Sequence, residues 1–324
     1  MKRILLVSAL IIIASVGGFW AFRQSDGDPQ DIVQQSLKQI GVVSDEQTTS
    51  TNPLAIENLR QRSYEGSLVT IEETLSRNAS YTAYSISYLS DDLKIFAAMN
   101  VPNGEGPFPI VVLNHGYFNQ NTFTTGDGTQ TMANILAENG YLTLASDYRC
   151  HGESDCDGVS RGHRAEYSAD VMNLISSVKN IKQADAEKIG IWGHSMGGEV
   201  ALKVLEITDQ VDAAVLWAPT TDGAGRAGSR WGRRRAPEST DTQSFKETSS
   251  MNYLSYITAP IQLHHGTADS EVPYNWSVEL DEKLKQAGRE VELFTYEGQD
   301  HNFKNLGWGI ISPRTVEFFD DFLK

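Results

Sequence analysis

Apolar residues recur with two periods along this chain, and after residue 68 the period switches repeatedly between strand-like and helical. Leu68-Val-Thr-Ile-Glu-Glu and Tyr81-Thr-Ala-Tyr-Ser-Ile-Ser-Tyr-Leu alternate as half-buried strands do, and Ser90-Asp-Asp92 turns the second into Leu93-Lys-Ile-Phe-Ala-Ala-Met. These segments predict an antiparallel hairpin. Downstream, Pro109-Ile-Val-Val-Leu-Asn is a continuous apolar run, the pattern of a strand covered on both faces. Further strands are expected at Tyr141-Leu-Thr-Leu-Ala-Ser, Lys188 to Trp192, Ala213-Ala-Val-Leu-Trp217, Ile261-Gln-Leu-His-His and Glu290 to Tyr296. Helical spacing separates them at Thr129 to Glu138, Arg164 to Lys179, the stretch after Ser195, Trp276 to Gln286 and Pro313 to Leu323. Strands alternating with helices predict an α/β fold, with a mostly parallel central sheet, helices on both faces and an antiparallel N-terminal hairpin. No internal repeat is present.

Three stretches depart from this rhythm. Residues 220–258 follow Pro219 as a long irregular segment, too short for a domain but suited to a lid over the strand ends. Residues 24–63 are polar, with only a weakly amphipathic run from Ile32 to Ile40, and read as a linker ahead of a catalytic domain at 64–324. Residues 1–23 place Lys2 and Arg3 before an apolar run from Ile4 to Phe22, close to the length that spans a bilayer. Two readings are open for that run. Ser15 and Gly17 offer weak cleavage sites for a signal peptide, whereas Trp20 and Phe22 carry the apolar run past them and favour an uncleaved membrane anchor. Either way the catalytic part is expected outside the cytoplasm, tethered to the membrane or released.

Composition narrows the partners. The 324 residues are 40% hydrophobic and 21% charged, enough for a substantial core. The net charge is −15, and setting aside Lys2, Arg3 and Arg23, which no acid accompanies, takes it to −18. Such a balance argues against a nucleic-acid partner. The sequence assigns no oligomeric state. The two cysteines, Cys150 and Cys156, stand close together in Arg149-Cys-His-Gly-Glu-Ser-Asp-Cys-Asp157. Outside a reducing compartment they can pair as a disulfide; two free thiols are the alternative, and a metal site lacks further ligands at suitable spacing.

The chemistry is placed at Gly193-His-Ser-Met-Gly-Gly198, between the apolar run Ile189 to Trp192 and the helical pattern Glu199-Val-Ala-Leu-Lys-Val-Leu-Glu. Glycines two before and two after Ser195 leave room for a sharp strand-to-helix turn that exposes its hydroxyl. A serine hydroxyl is a weak nucleophile at neutral pH and needs a histidine base held in one tautomer by a carboxylate. Of seven histidines, His301 in Gly298-Gln-Asp-His-Asn-Phe303 follows the last strand, at the carboxyl edge where ligands bind in α/β folds. It is the candidate base. His115, His194, His264 and His265 read as packed or hydrogen-bonded structural residues, and His151 and His163 as loop residues. Asp269, after Ile261 to His265, is the candidate acid, with Glu271 as runner-up and Asp300 disfavoured because adjacent side chains diverge. For the oxyanion, the amide of Met196 at the helix start and that of Tyr117 in His115-Gly-Tyr-Phe118 are the candidate donors. A plain tight turn is the alternative for His115-Gly-Tyr, and the Tyr117 ring is placed to line an acyl pocket. No cofactor and no metal is called for.

With these residues placed, the chain resembles the α/β-hydrolase superfamily, above all the catalytic domain of the prolyl oligopeptidase family (peptidase family S9) and its dienelactone-hydrolase and acetyl-esterase relatives. The resemblance covers about residues 64–324 and rests on His115-Gly-Tyr117, Asp147-Tyr-Arg149 with Gly152 and Ser154, Gly193 to Gly198, His265-Gly-Thr-Ala-Asp269 with Val272-Pro273, and His301-Asn-Phe303. The order Ser195, Asp269, His301 is that of the α/β-hydrolase fold. The resemblance implies that these three form the triad and that Tyr117 and Met196 donate to the oxyanion. It departs from the full-length oligopeptidases in one respect: the roughly 80 residues ahead of the pattern cannot hold their substrate-screening propeller.

The expectation is an exported serine hydrolase that acts through an acyl-enzyme on carboxylic esters or short peptides. A polysaccharide acetyl or feruloyl-type esterase is the alternative, and a catalytically silent binding protein on the same fold is disfavoured because all three triad positions are filled. Arg226, Arg230, Arg233, Arg234 and Arg235 stand out in so acidic a chain. Arg233, Arg234 and Arg235 are candidate substrate-pocket residues that would attract an anionic substrate, against the plainer reading of a solvated loop. Asn78-Ala-Ser80 and Asn275-Trp-Ser277 match a glycosylation pattern that carries no weight without a known source.

Overall fold

A computed structural model describes residues 50–157, 164–221, 243–304 and 307–324. Nine strands form one sheet: β1 (Thr70–Arg77), β2 (Tyr81–Ser90), β3 (Leu93–Pro102), β4 (Phe108–Asn114), β5 (Leu142–Ser146), β6 (Ala184–His194), β7 (Ala213–Trp217), β8 (Ile261–Gly266) and β9 (Val291–Tyr296). Their spatial order is β1-β2-β3-β5-β4-β6-β7-β8-β9. Pairing is antiparallel from β1 through β2 and β3 to β5, which gives the expected hairpin, and parallel from β5 to β9.

The helices are α1 (Ile56–Gln61), α2 (Gln130–Glu138), α3 (Arg164–Ser177), α4 (Met196–Ile207), α5 (Gln243–Thr248), α6 (Asn275–Gln286) and α7 (Gly307–Leu323). Because successive side chains on a strand point to opposite faces, each central strand feeds two cores. Ile110 and Val112 of β4, Ile191 of β6 and Leu216 of β7 join Leu59, Val171, Val204 and Leu280 from α1, α3, α4 and α6. Val111, Leu113, Trp192 and Val215 join Met132 and Leu136 of α2 and Ile311 and Phe319 of α7. The sheet is therefore covered on both sides, which is why β4 and β7 read as nearly unbroken apolar runs. Gly190 belongs to the second face, where an added Cβ would lie 2.7 Å from the Phe319 ring.

Three boundaries differ from the sequence reading. The compact unit begins at Ser50 rather than at 64, because Ala55, Ile56 and Leu59 are fully buried and bring α1 against α4. α7 starts at Gly307, so Pro313 lies inside the helix instead of opening it; the missing donor falls opposite Gly309, which is exposed and can bond to water. In the expected lid, the described part holds α5 and two short 3-10 turns, and Leu254 and Ile257 of this part bury themselves in the core beside α4. Lys203 of α4 donates to Thr248 O and, at 3.2 Å, to Ser250 Oγ. Residues 222–242, with all five singled-out arginines, and the membrane-targeting segment 1–23 lie outside the described residues. Among the described residues no helix is long and apolar enough to cross a membrane.

Candidate active site

β6 ends at His194 and α4 opens at Met196, leaving Ser195 alone in the turn at φ 57° and ψ −120°. For a residue with a side chain, such a backbone costs on the order of 1–3 kcal/mol and persists only where its surroundings fix it. Here they do. Ser195 N donates to Trp217 O at 3.0 Å, and Gly198 N and Thr220 N each donate to Ser195 O at 3.0 Å. The flanking glycines answer to close approach: a Cβ on Gly193 would lie 2.4 Å from Gly197 O, and one on Gly197 would lie 2.0 Å from Asn114 O. Strand, helix and the end of β4 thus meet around one serine.

Parallel strands deliver the other site residues to the same carboxyl edge. Asp269 follows β8 and His301 follows β9. The two loops are stitched together by Thr267 N to Tyr296 O and Ala268 N to Gln299 O, both 3.0 Å. Gly266 permits this contact, since a Cβ there would lie 2.2 Å from Gln299 O. In consequence His301 Nδ1–H donates to Asp269 Oδ2 at 2.7 Å, which leaves Nε2 free to accept a proton. The same Oδ2 receives His265 Nε2–H at 3.0 Å, and Oδ1 accepts the amides of Glu271 and Val272 at 2.8 and 2.9 Å. Burial pushes the Asp269 carboxyl up, but the hydrogen bonds of His265 and His301, the charge of His301 and the Val272 amide outweigh it and hold the group well below the usual carboxylate range. Asp269 is an anion at every physiological pH.

Ser195 and His301 line one cavity of about 390 Å³, together with Gly116, Tyr117, Trp217, Phe303 and Trp308 among others. A Cβ on Gly116 would lie 3.4 Å from Ser195 Cβ, so the turn bearing the Tyr117 amide passes directly beside Ser195. Tyr117 is half exposed and lines the cavity. Met196 opens α4, where first-turn amides lack helical partners. Glu271 lines the cavity and its backbone amide supports Asp269; its carboxyl is not the one on His301.

The remaining histidines separate by their contacts. His115 is buried, with Nδ1 on Gly116 O at 2.7 Å, and burial lowers it to about 3. His264 bonds Tyr296 Oη and Gln262 Oε1, and burial, reinforced by the charge of Arg314, lowers it strongly. His151 packs against His115 and Tyr167; His163 is outside the described residues. Two contribute more than the strand pattern suggested. His265 receives Ser277 Oγ–H on Nδ1 at 2.7 Å and so aims Nε2–H at Asp269. His194 Nε2–H donates to His301 O at 2.9 Å, and burial, followed by the charge of His301, lowers it to about 4, so the ring stays neutral and fixes the His301 backbone. The only sequence signal for His265 is its place four residues before Asp269. His194 has none, because its partner is 107 residues away.

Near the site, Cys150 and Cys156 are joined in a disulfide with Cα atoms 4.4 Å apart. Between β5 and this loop, Arg149 forms a buried ion pair with Asp170 of α3 at 2.7 Å and a second pair with Asp91 at 2.8 Å.

A mostly parallel sheet whose carboxyl edge presents a serine on a strained strand-to-helix turn defines the α/β-hydrolase class, and the chain is a serine hydrolase of that fold. Within the class it belongs to the prolyl oligopeptidase family, whose sequence profile matches residues 128–324, more than half of the chain. Among curated proteins it is similar to the uncharacterized peptidase YtmA of Bacillus subtilis, 26% identical over 232 residues that make up 68% of this chain and 86% of that one. Among solved structures, the acylaminoacyl peptidase of Pyrococcus horikoshii superposes with a TM-score of 0.62 at 21% identity, over 76% of this chain and 42% of the peptidase. Acetyl xylan esterase 1 of Thermoanaerobacterium superposes with a TM-score of 0.63 at 15% identity, over 82% of this chain and 90% of the esterase.

Proposed function

We propose that the protein cleaves carboxylic ester or short peptide bonds through an acyl-enzyme, with Ser195, His301 and Asp269 as the triad. His301 Nε2 takes the Ser195 proton as Oγ attacks the carbonyl carbon; the carbonyl oxygen becomes an oxyanion received by the Tyr117 and Met196 amides. His301 then returns the proton to the departing alcohol or amine, and a water repeats the sequence to release the acid. Asp269 keeps His301 in the tautomer that accepts at Nε2 and stabilises the imidazolium. The observation that carries this reading is the 2.7 Å bond from His301 Nδ1 to an ionised Asp269, made beside the cavity that Ser195 and His301 share. The catalytic unit acts outside the cytoplasm, anchored or released, a reading supported by the Cys150–Cys156 disulfide.

The near-full-length likeness to an acetyl xylan esterase favours a second reading, a polysaccharide esterase that removes acetyl or feruloyl-type groups. Chromogenic esters of graded acyl size, run beside aminoacyl and dipeptidyl arylamides, separate the two. kcat/KM on arylamides comparable to that on esters supports peptide cleavage, and turnover confined to acetyl or aromatic esters supports the second reading. No turnover of either kind contradicts both.

A further inference from the structure

The catalytic cavity does not end at Ser195. Thr131 of α2 and Trp308 of α7 line it and also line a second groove of about 670 Å³ between those two helices. The apolar part of its lining is Ile135, Pro313 and Val316. Its rim is acidic. Asp320 is engaged by Tyr141 at 2.6 Å and Lys324 at 2.8 Å, whereas Glu317 and Asp321 are exposed. The catalytic cavity adds Asp127 and Glu271, and among the described residues no lysine or arginine lines either space. Carboxylates and aromatic faces in a confined space attract cations.

Direction follows from the chemistry. His301 must protonate the leaving group, so that group lies on the His301 side, where Trp308 Nε1–H donates to Asn302 O at 3.0 Å and the Trp308 side chain borders both the cavity and the groove. We propose that the groove between α2 and α7 is a distal subsite for the leaving group, and that it takes an apolar chain bearing a positive charge, an organic cation. This rests on the serine-hydrolase reading and gives that site its substrate class. Its sign is opposite to the one that Arg233, Arg234 and Arg235 suggested from the sequence.

The test uses the full chain and esters of one acyl group, with alcohols ending in trimethylammonium or in its neutral tert-butyl isostere, each on a short and a long methylene linker. The cationic-to-neutral ratio of kcat/KM is expected to be roughly three- to tenfold larger on the long linker, and to shrink as salt rises. The exposed pair Glu317→Gln and Asp321→Asn, combined, is expected to bring the long-linker ratio down toward the short-linker value. Equal ratios on both linkers, or a ratio that the double variant leaves unchanged, overturn the subsite. Fluorophosphonate labelling of wild type and variant separates the two levels: a labelled enzyme with equal ratios loses the subsite alone, and an unlabelled wild type loses the hydrolase reading as well.

Discussion

Asp269 accepts four hydrogen bonds, from two imidazoles and two backbone amides, and this is what makes it the fixed point of the site. Asp269→Asn presents an N–H where His301 needs an acceptor, so the imidazole turns to the wrong tautomer; kcat is expected to fall about 10⁴-fold with the fold retained. Near-normal turnover would show that another acid serves His301. Asp147 makes a contrasting case. It is fully buried, Thr125 Oγ–H reaches only Oδ2 at 2.6 Å, and Oδ1 has no partner among the described residues. Burial pushes it up to about 7, and the charges of Asp127 and Glu153 add to the shift. Between about pH 4 and pH 7 the folded state therefore holds a proton that the unfolded chain has released, so this group lowers stability as pH rises through that window. Asp147→Asn is expected to stabilise the protein above pH 7, by about 4 kcal/mol at most, and to change little at pH 4. Melting temperatures of both forms across that range check the sign. The places of Ser195, Asp269 and His301 at the carboxyl edge of the sheet were legible in the sequence because chain order and strand ends constrain them. The bonds from His265 and His194 were not, since each depends on how loops distant in sequence fold back onto one another.

The loops at the carboxyl edge work as a unit, and glycines set their spacing. Gly266→Ala places a methyl group 2.2 Å from Gln299 O, so the loop after β8 must part from the loop after β9. Loss of about 1–3 kcal/mol in stability is expected. A drop in kcat on the order of 10²-fold should accompany it, because Asp269 and His301 no longer meet. Denaturant titration and turnover on one ester measure the two effects. Elsewhere in the fold, Arg149→Met leaves Asp170 as a buried acid without its ion-pair partner and is expected to cost about 3–5 kcal/mol, read by the same titration. The strands β4 and β7 were legible because doubly covered strands are apolar nearly throughout. α1 was not. It has six residues, no side-chain cap and only Ile56 and Leu59 buried, and its stability comes from packing rather than from its own pattern. α7 was misjudged at its start because proline is favoured at a first helical position, and here it is tolerated where the orphaned carbonyl faces solvent. The place of β5 between β3 and β4 had no local signal at all, being a matter of long-range pairing.

The described residues form a sheet with two cores and one chemically equipped edge. Parallel strands align their carboxyl ends, so residues 74 and 106 positions apart, Ser195 with Asp269 and His301, arrive in one region without any segment crossing the core. The cavity there is walled by Trp217, Phe303 and Trp308, and its described lining has carboxylates but no lysine or arginine, which bears on substrate choice more directly than the net charge of −15. The central claim is that Ser195 is the nucleophile. Intact-mass and peptide mass spectrometry after treatment with a fluorophosphonate tests it most directly. A single adduct on Ser195, absent in Ser195→Ala and slowed in Asp269→Asn, is the predicted result; no adduct, or one that survives Ser195→Ala, would contradict it.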